Sequence, residues 1–188
     1  MATEERSPLV TTYLEMRSPE QLRPKRCADV RVQVREQKEP NWRFNRDLYF
    51  AVGEQWHWID KRPWTDEQWK EYAAAPDLRT FAAYCDDALV GYYELRRESE
   101  PDPPSPRPRR DRQGEVEIAY FGLLPEFVGR GLGGALLTSA IEEGWRMSPK
   151  RVWVHTCNRD HPKALANYQA RGMIVYKVEE SRRKNIYE

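Results

Sequence analysis

Apolar and polar positions along the chain follow two periods, and the switches between them outline the elements. Residues 9–16 (LVTTYLEM) are rich in β-branched and apolar side chains and read as a first strand, after a loose stretch over residues 1–8. Val30, Val32 and Val34 alternate with Arg31 and Gln33, the two-residue period of a strand with one exposed face. Over residues 41–52 the period becomes helical: Phe44, Leu48 and Val52 recur every fourth position, and Gly53 follows as a stop. Thr65-Asp66-Glu67-Gln68 is a capping box, flanked by Trp64 and Trp69 as a hydrophobic staple, and opens a helix that runs to about Ala75, before Pro76. Residues 79–85 and 88–96 are strand-like runs joined at Asp86-Asp87, a hairpin.

Between residues 99 and 114 the pattern changes in kind. Prolines and arginines replace aliphatic residues, which predicts a mobile loop. Residues 115–121 (EVEIAYF) return to strand character with Glu115 and Glu117 on one face of the pleat, and Leu123-Leu124-Pro125 ends the strand. Glycines over 129–134 then open a helix whose positions 132, 136, 140 and 145 share a face. A strand over 151–156 follows, then a helix over 160–171, with Ala164, Leu165 and Tyr168 on one side and Gly172 as its stop. Residues 173–178 form a last strand, and no internal repeat is visible.

Composition narrows the picture without naming a chemistry. The 188 residues suffice for one ordinary domain with a real core. A net charge of +1 creates no field that would recruit nucleic acid or an anionic membrane. No apolar run approaches the ~20 residues of a membrane span, and residues 1–6, with two acids, lack a secretory signal's apolar core. Cys27, Cys85 and Cys157 are odd in number and far apart, which argues against a disulfide framework or a zinc site and suits a reducing cytoplasm. They read as packed thiols rather than nucleophiles.

The densest chemical signal is Gly129-Arg130-Gly131-Leu132-Gly133-Gly134. A turn without side chains that feeds a helix gathers unpaired N–H groups at the positive end of the helix dipole, a geometry that binds phosphate. The alternative is a tight turn with no ligand. Gly129-x-Gly131-x-x-Gly134 also satisfies the dinucleotide fingerprint, but that turn belongs directly after a buried strand near the start of a doubly wound sheet, with a ribose-binding acid ~20 residues on. Here an elbow intervenes, and Pro149-Lys150-Arg151 stand where the acid would be.

Residues 114–178, about a third of the chain, resemble the GNAT superfamily, the Gcn5-related N-acetyltransferases. In that family a strand carrying a glutamate leads into a loop of the form Gln/Arg-x-x-Gly-x-Gly/Ala, matched here by Val128-x-x-Gly131-x-Gly133. The later run Ala164-x-x-x-Tyr168-x-x-x-Gly172-Met173 is similar to the family's later helix. Val128 departs from the pattern, so the phosphate site lacks a polar side chain; the amides of Gly129, Arg130, Gly131, Leu132, Gly133 and Gly134 are left to carry the binding, with Arg130 as a nearby charge. The chain is also expected to stop before the family's usual last strand. The resemblance implies one α/β (α+β) domain over residues 9–188: a mixed, mostly antiparallel, twisted sheet with helices on both faces. It further implies acetyl-coenzyme A as co-substrate, with no metal, and a small-molecule or peptide amine as acceptor. The pantetheine arm would lie between two splayed strands, bonded by main-chain groups near Phe121 and Leu123, with the Phe121 N–H facing the thioester oxygen. Asn158, just past the second strand, is the candidate for bonding a pantetheine amide.

Acetyl transfer to an amine needs a neutral nucleophile and a proton for the departing thiolate. An amine of pKa ~10.4 is almost wholly protonated at neutral pH, so a base must act. The resemblance puts Glu117 in that role, which requires partial burial to lift its carboxyl from ~4.3 toward ~6–7; the alternative is a strand glutamate on a solvated face. Tyr168 is the candidate acid, opposed by a plain core tyrosine. Trp56, His57 and Trp58 could wall the acceptor pocket or simply belong to the core, and His155 could face the acceptor or be structural. A non-catalytic acyl-CoA sensor is the alternative function, distinguished by coenzyme binding without turnover. A nucleic-acid module rests only on the arginine-rich loop and is not expected, because no interleaved aromatics offer stacking. A homodimer is left open.

Overall fold

The structure, a computed structural model, describes residues 8–27, 29, 31–98 and 114–181. The loop expected over 99–114 lies outside them except for Gly114, as does the loose stretch 1–8 except for Pro8. The elements run β1 (Leu9–Met16), β2 (Val32–Gln37), α1 (Trp42–Gly53), α2 (Asp66–Ala73), β3 (Leu78–Cys85), β4 (Ala88–Glu98), β5 (Glu115–Leu123), α3 (Gly133–Arg146), β6 (Arg151–Cys157), α4 (Ala164–Ala170) and β7 (Ile174–Ser181). The strands form one seven-stranded sheet in the order β2-β3-β4-β5-β6-β1-β7. Every neighbouring pair is antiparallel except β5 with β6.

Alternation along β4 assigns the two faces. Tyr93 and Leu95 join the core beneath α3 and α4, with Val116, Ile118, Leu136, Leu137, Ala140 and Ile141. Tyr92 turns the other way, onto Leu48 and Val52 of α1. Behind α1, Tyr49, Trp69 and Tyr72 form a third buried cluster. The expected staple is present, with the Trp64 and Trp69 rings 5.3 Å apart. The Thr65–Gln68 capping box closes as read, Thr65 Oγ1 accepting from Gln68 N–H and Gln68 Oε1 from Thr65 N–H.

The β4–β5 ladder carries one irregularity at the centre of the sheet. Glu94 of β4 pairs with Tyr120, but the next residue, Leu95, pairs with Ile118, so Ala119 is an extra residue in β5. Such a bulge bends its strand, increases its twist and reverses the side-chain alternation. Before it, Val116 and Ile118 face the α3 core; beyond it, Phe121 and Leu123 do. Glu117 and Tyr120 therefore share the opposite face, toward α1.

Several expectations shift. Of the strand expected from Val30, that residue lies outside the described ones; β2 runs from Val32, and the Asp29 carboxylate captures the Arg31 N–H and guanidinium just before it. The α2 helix stops at Ala73 rather than Ala75. The helix expected over 160–171 forms only from Ala164, since the Asp160 side chain accepts from Thr156 Oγ1 and the Cys157 N–H and folds the preceding segment into a turn. At its far end Gly172 has φ +96°, and a Cβ there would lie 2.0 Å from the Gln21 carbonyl oxygen, so only glycine fits. Among the described residues no strand follows β7, and the N-terminal β1 lies inside the sheet, between β6 and β7. No helix among the described residues is long and apolar enough to cross a membrane.

Candidate active site

Strands β5 and β6 pair only at Glu115–Arg151, Val116–Val152 and Glu117–Trp153. Past that point the Ala119 bulge turns β5 away while β1 holds β6 straight. The strands splay, and a cleft of about 920 Å³ opens between them. Its size suits an extended small-molecule ligand.

The register shows which main-chain groups look into the cleft. Leu124 N–H donates to Val90 O on β4 at 2.9 Å, so by antiparallel alternation Gly122 and Tyr120 also bond toward β4. Phe121 and Leu123 consequently direct their N–H and C=O groups to the opposite side, where no strand meets them. The cleft reaches the glycine turn through Val128, Gly129, Gly131, Gly133 and Gly134. Gly129 (φ +85°) and Gly131 (φ +79°) adopt backbone that side chains resist, and nothing lies within 4 Å of where a Cβ on Gly129 would stand. The N–H groups of Gly129, Gly131, Leu132, Gly133 and Gly134 have no protein acceptor among the described residues. Arg130 differs from its sequence reading: its N–H points back to Phe127 O at 3.4 Å, and its guanidinium lies 5.0 Å over the Phe127 ring, away from the cleft. Leu132 contributes its amide only, since its side chain packs into the α3 core.

Glu117 sits where the two strands part, its Oε1 3.6 Å from His155 Nε2. Burial, aided by the Glu98 charge and opposed by Arg96 and Lys61, pushes its carboxyl up to about 7. His155 lines the cleft, and burial lowers its imidazole below the usual range, against the pull of Asp160 and Asp60. From the α4 side Tyr168 reaches the cleft with its ring 6.1 Å from Phe121 and only 6% exposed; its hydroxyl has no protein partner among the described residues. Burial holds that phenol well above its ordinary range, so it stays protonated.

The remaining wall is aromatic. Trp58 packs on Tyr120 at 4.9 Å and Tyr49 at 5.6 Å, serving core and wall together. Trp56 crosses the mouth to meet His161 at 5.0 Å, and His57 is lowered by burial and by Arg159. Asp60, which the sequence did not single out, lies among them. It accepts from Tyr49 at 2.9 Å, Tyr120 at 2.5 Å and Lys61 Nζ at 3.2 Å. Burial raises its carboxyl, but these bonds and the Lys61 charge outweigh that and hold it below its usual range. Lys61 is 8% exposed, with Nζ 4.2 Å over the Trp64 ring and 4.6 Å over Tyr72. Deeper still, Glu94 is 1% exposed and accepts from Asn45 at 2.8 Å and Tyr72 at 2.5 Å; burial raises it above its ordinary range. No local spacing marks these groups, because they come from α1, α2, β4 and the connecting loop.

Asn158 does not join the site. Its side chain accepts from Val10 N–H at 3.1 Å and donates to Pro8 O at 3.0 Å, tying β6 to the start of β1. Among the described residues no group of three or more His, Cys, Asp or Glu is arranged to hold a metal ion.

Comparisons with known proteins agree with the fold. Residues 39–173 match the model of the Acetyltransferase (GNAT) family. A GCN5-related N-acetyltransferase from Sphaerobacter thermophilus aligns with TM-score 0.63 at 16% identity, covering 93% of this chain and 51% of that one, so the chain spans about half its length. An aminoglycoside acetyltransferase from an uncultured soil metagenomic sample, in complex with trehalose, aligns with TM-score 0.57 at 16% identity over 76% of this chain and 88% of that one. The aminoglycoside N-acetyltransferase AAC(6')-Iy, solved in complex with CoA, aligns with TM-score 0.52 at 17% identity over 84% and 93%. No curated protein matches the sequence. With its family match covering well over half of the chain, this protein belongs to the GNAT acetyltransferase family.

Proposed function

We propose that this protein moves an acetyl group from acetyl-CoA to a primary amine by direct attack. The carrying observation is the continuity of one cleft: outward main-chain groups of Phe121 and Leu123, then the unpaired amides of the glycine turn, with Tyr168 and His155 on the wall and Glu117 behind His155, 3.6 Å from its Nε2. The diphosphate of the coenzyme takes the amides of Gly129, Gly131, Leu132, Gly133 and Gly134. The pantetheine arm lies along β5 as a substitute strand, bonded by Phe121 and Leu123. The Phe121 N–H donates to the thioester oxygen and stabilises the charge that develops there.

The amine enters between the aromatic wall and β5. The amine reacts as its small neutral fraction, the ammonium proton having gone to solvent; its lone pair attacks the thioester carbon, and the carbon–oxygen π pair moves onto oxygen. A carboxylate near 7 is a poor base for a free ammonium of ~10.4, yet a good one for the far more acidic nitrogen of the tetrahedral adduct. Glu117 takes that proton directly or through a water, with His155 alongside to share it. The adduct collapses, the carbon–sulfur bond breaks, and the Tyr168 hydroxyl donates to the leaving sulfur. Because that phenol is raised by burial, it acts first as a hydrogen-bond donor and transfers its proton late.

A thiol-release assay over a panel of amines, run beside calorimetric titration with coenzyme A, tests the reading. Turnover with at least one amine, lowered about tenfold or more in Tyr168→Phe at unchanged coenzyme affinity, supports it. Coenzyme binding without turnover on any amine would leave the protein an acyl-CoA sensor.

A further inference from the structure

The glycine turn is not approached by the family-matching segment alone. Between β1 and β2, residues 17–27 cross the open end of α3 as a strap, ahead of the matched region that begins at residue 39. The strap is pinned along its length. The Gln21 carbonyl packs against Gly172, where a Cβ would not fit. Arg23 N–H donates to Arg171 O at 2.9 Å, and Arg171 Nε returns a bond to Arg23 O at 2.9 Å. Lys25 N–H donates to Thr138 Oγ1 on α3 at 2.9 Å.

This pinning brings two cationic side chains to the turn: Arg171, which lies against Gly134 and commits its Nε to Arg23 O, and Lys25. Lys25 lies across Gly134, its Cδ 2.7 Å from where a Cβ would stand, and its Nζ is 3.8 Å from the equivalent point on Gly131. It lines the same cleft, and its ammonium has no acceptor or carboxylate partner among the described residues. An ammonium without an acceptor thus sits beside a cluster of unpaired amide donors. Val128, meanwhile, offers no polar group at the turn's first position. We infer that Lys25 is a coenzyme-binding residue: its ammonium contacts the diphosphate on the glycine turn, supplying from the N-terminal strap the polar side chain that Val128 lacks. The inference rests on the proposed use of acetyl-CoA and adds a residue to that site.

Lys25→Met keeps the apolar stem that covers Gly134 and the main-chain bond to Thr138 while removing the charge. The variant is expected to raise the Kd for coenzyme A about tenfold, the size of one charge-assisted contact. The wild type's affinity should fall more steeply with salt than the variant's. Lys25→Arg should recover most of the loss. Acetyl-pantetheine, which carries no phosphate, should be used equally by wild type and Lys25→Met. Equal coenzyme A affinity in wild type and Lys25→Met overturns the inference, and so does a matching loss with acetyl-pantetheine, which would mean a structural role. Failure of the wild type to bind coenzyme A would instead overturn the underlying functional reading.

Discussion

The two ends of the cleft are built from different materials. At the glycine-turn end the recognising groups are main-chain amides, exposed because side chains are missing. At the aromatic end they are side chains from segments far apart in sequence: Trp56, Trp58 and Asp60 between α1 and α2, Tyr120 on β5, His155 on β6, His161 before α4. Behind the aromatic end lies a buried polar network of Asn45, Tyr72, Thr80 and Glu94, whereas behind the turn Thr138 and Asn167 bond to main-chain groups. Every residue but proline carries an amide N–H, so that end can tolerate drift in its side chains provided its glycines stay. The aromatic end has no such insurance. Each group there depends on its partners, so one substitution at that end disturbs several groups at once.

Breaking the point where the ends meet should have the largest effect. Glu117→Gln is expected to lower kcat about 10²- to 10³-fold, the scale of a lost general base, with coenzyme affinity unchanged. In the wild type, kcat/KM should rise with pH through an apparent pKa of about 7, and the variant should lose that limb. Stability should move the opposite way. A carboxyl raised from 4.5 to about 7 favours its neutral form in the fold, so its contribution is full at low pH and is lost as pH rises through 7. At pH 8 Glu117→Gln should therefore be more stable than the wild type, by up to about 3 kcal/mol in urea unfolding.

Gly131→Val should weaken coenzyme A binding about 100-fold by calorimetry, because a branched side chain resists φ +79° and covers the amides. The same strain should lower stability by about 1–3 kcal/mol, with the aromatic end little affected. Asn45→Ala tests the other end: Glu94 and Thr80 lose a buried donor, and stability should fall by about 1–3 kcal/mol at nearly unchanged coenzyme affinity. The smallest effect is expected at Asn158→Ala, which releases the bond to β1 at a loss of about 1 kcal/mol and leaves coenzyme A affinity within about twofold. A large loss of affinity there would return Asn158 to the coenzyme site.

Legibility divides along the same line. The turn can be read because its physics is local: Gly129 through Leu132 lead into a helix, opened by Gly133 and Gly134, whose first amides are free wherever that helix packs. The Thr65 capping box and the Asp86 hairpin, with φ +52° at Asp86, are readable for the same reason. Arg130 and Asn158 defeat a local reading because a side chain near a site in sequence can be drawn off by a closer partner, here the Phe127 ring and the β1 backbone. Asp60, Lys61 and Glu94 carry no local sign at all. Their environment exists only once α1, α2, β4 and β5 are packed together.

By itself, then, the sequence determined the succession of strands and helices and the phosphate-sized gap in side chains at the head of α3, since both follow from spacing and backbone freedom within a few residues. The tertiary structure alone decided that β1 enters the sheet between β6 and β7, that the Ala119 bulge parts β5 from β6, and that Glu117 is buried enough to titrate near neutrality. Those outcomes depend on register and burial, which arise from contacts between residues distant in the chain and leave no mark on the spacing of any one segment.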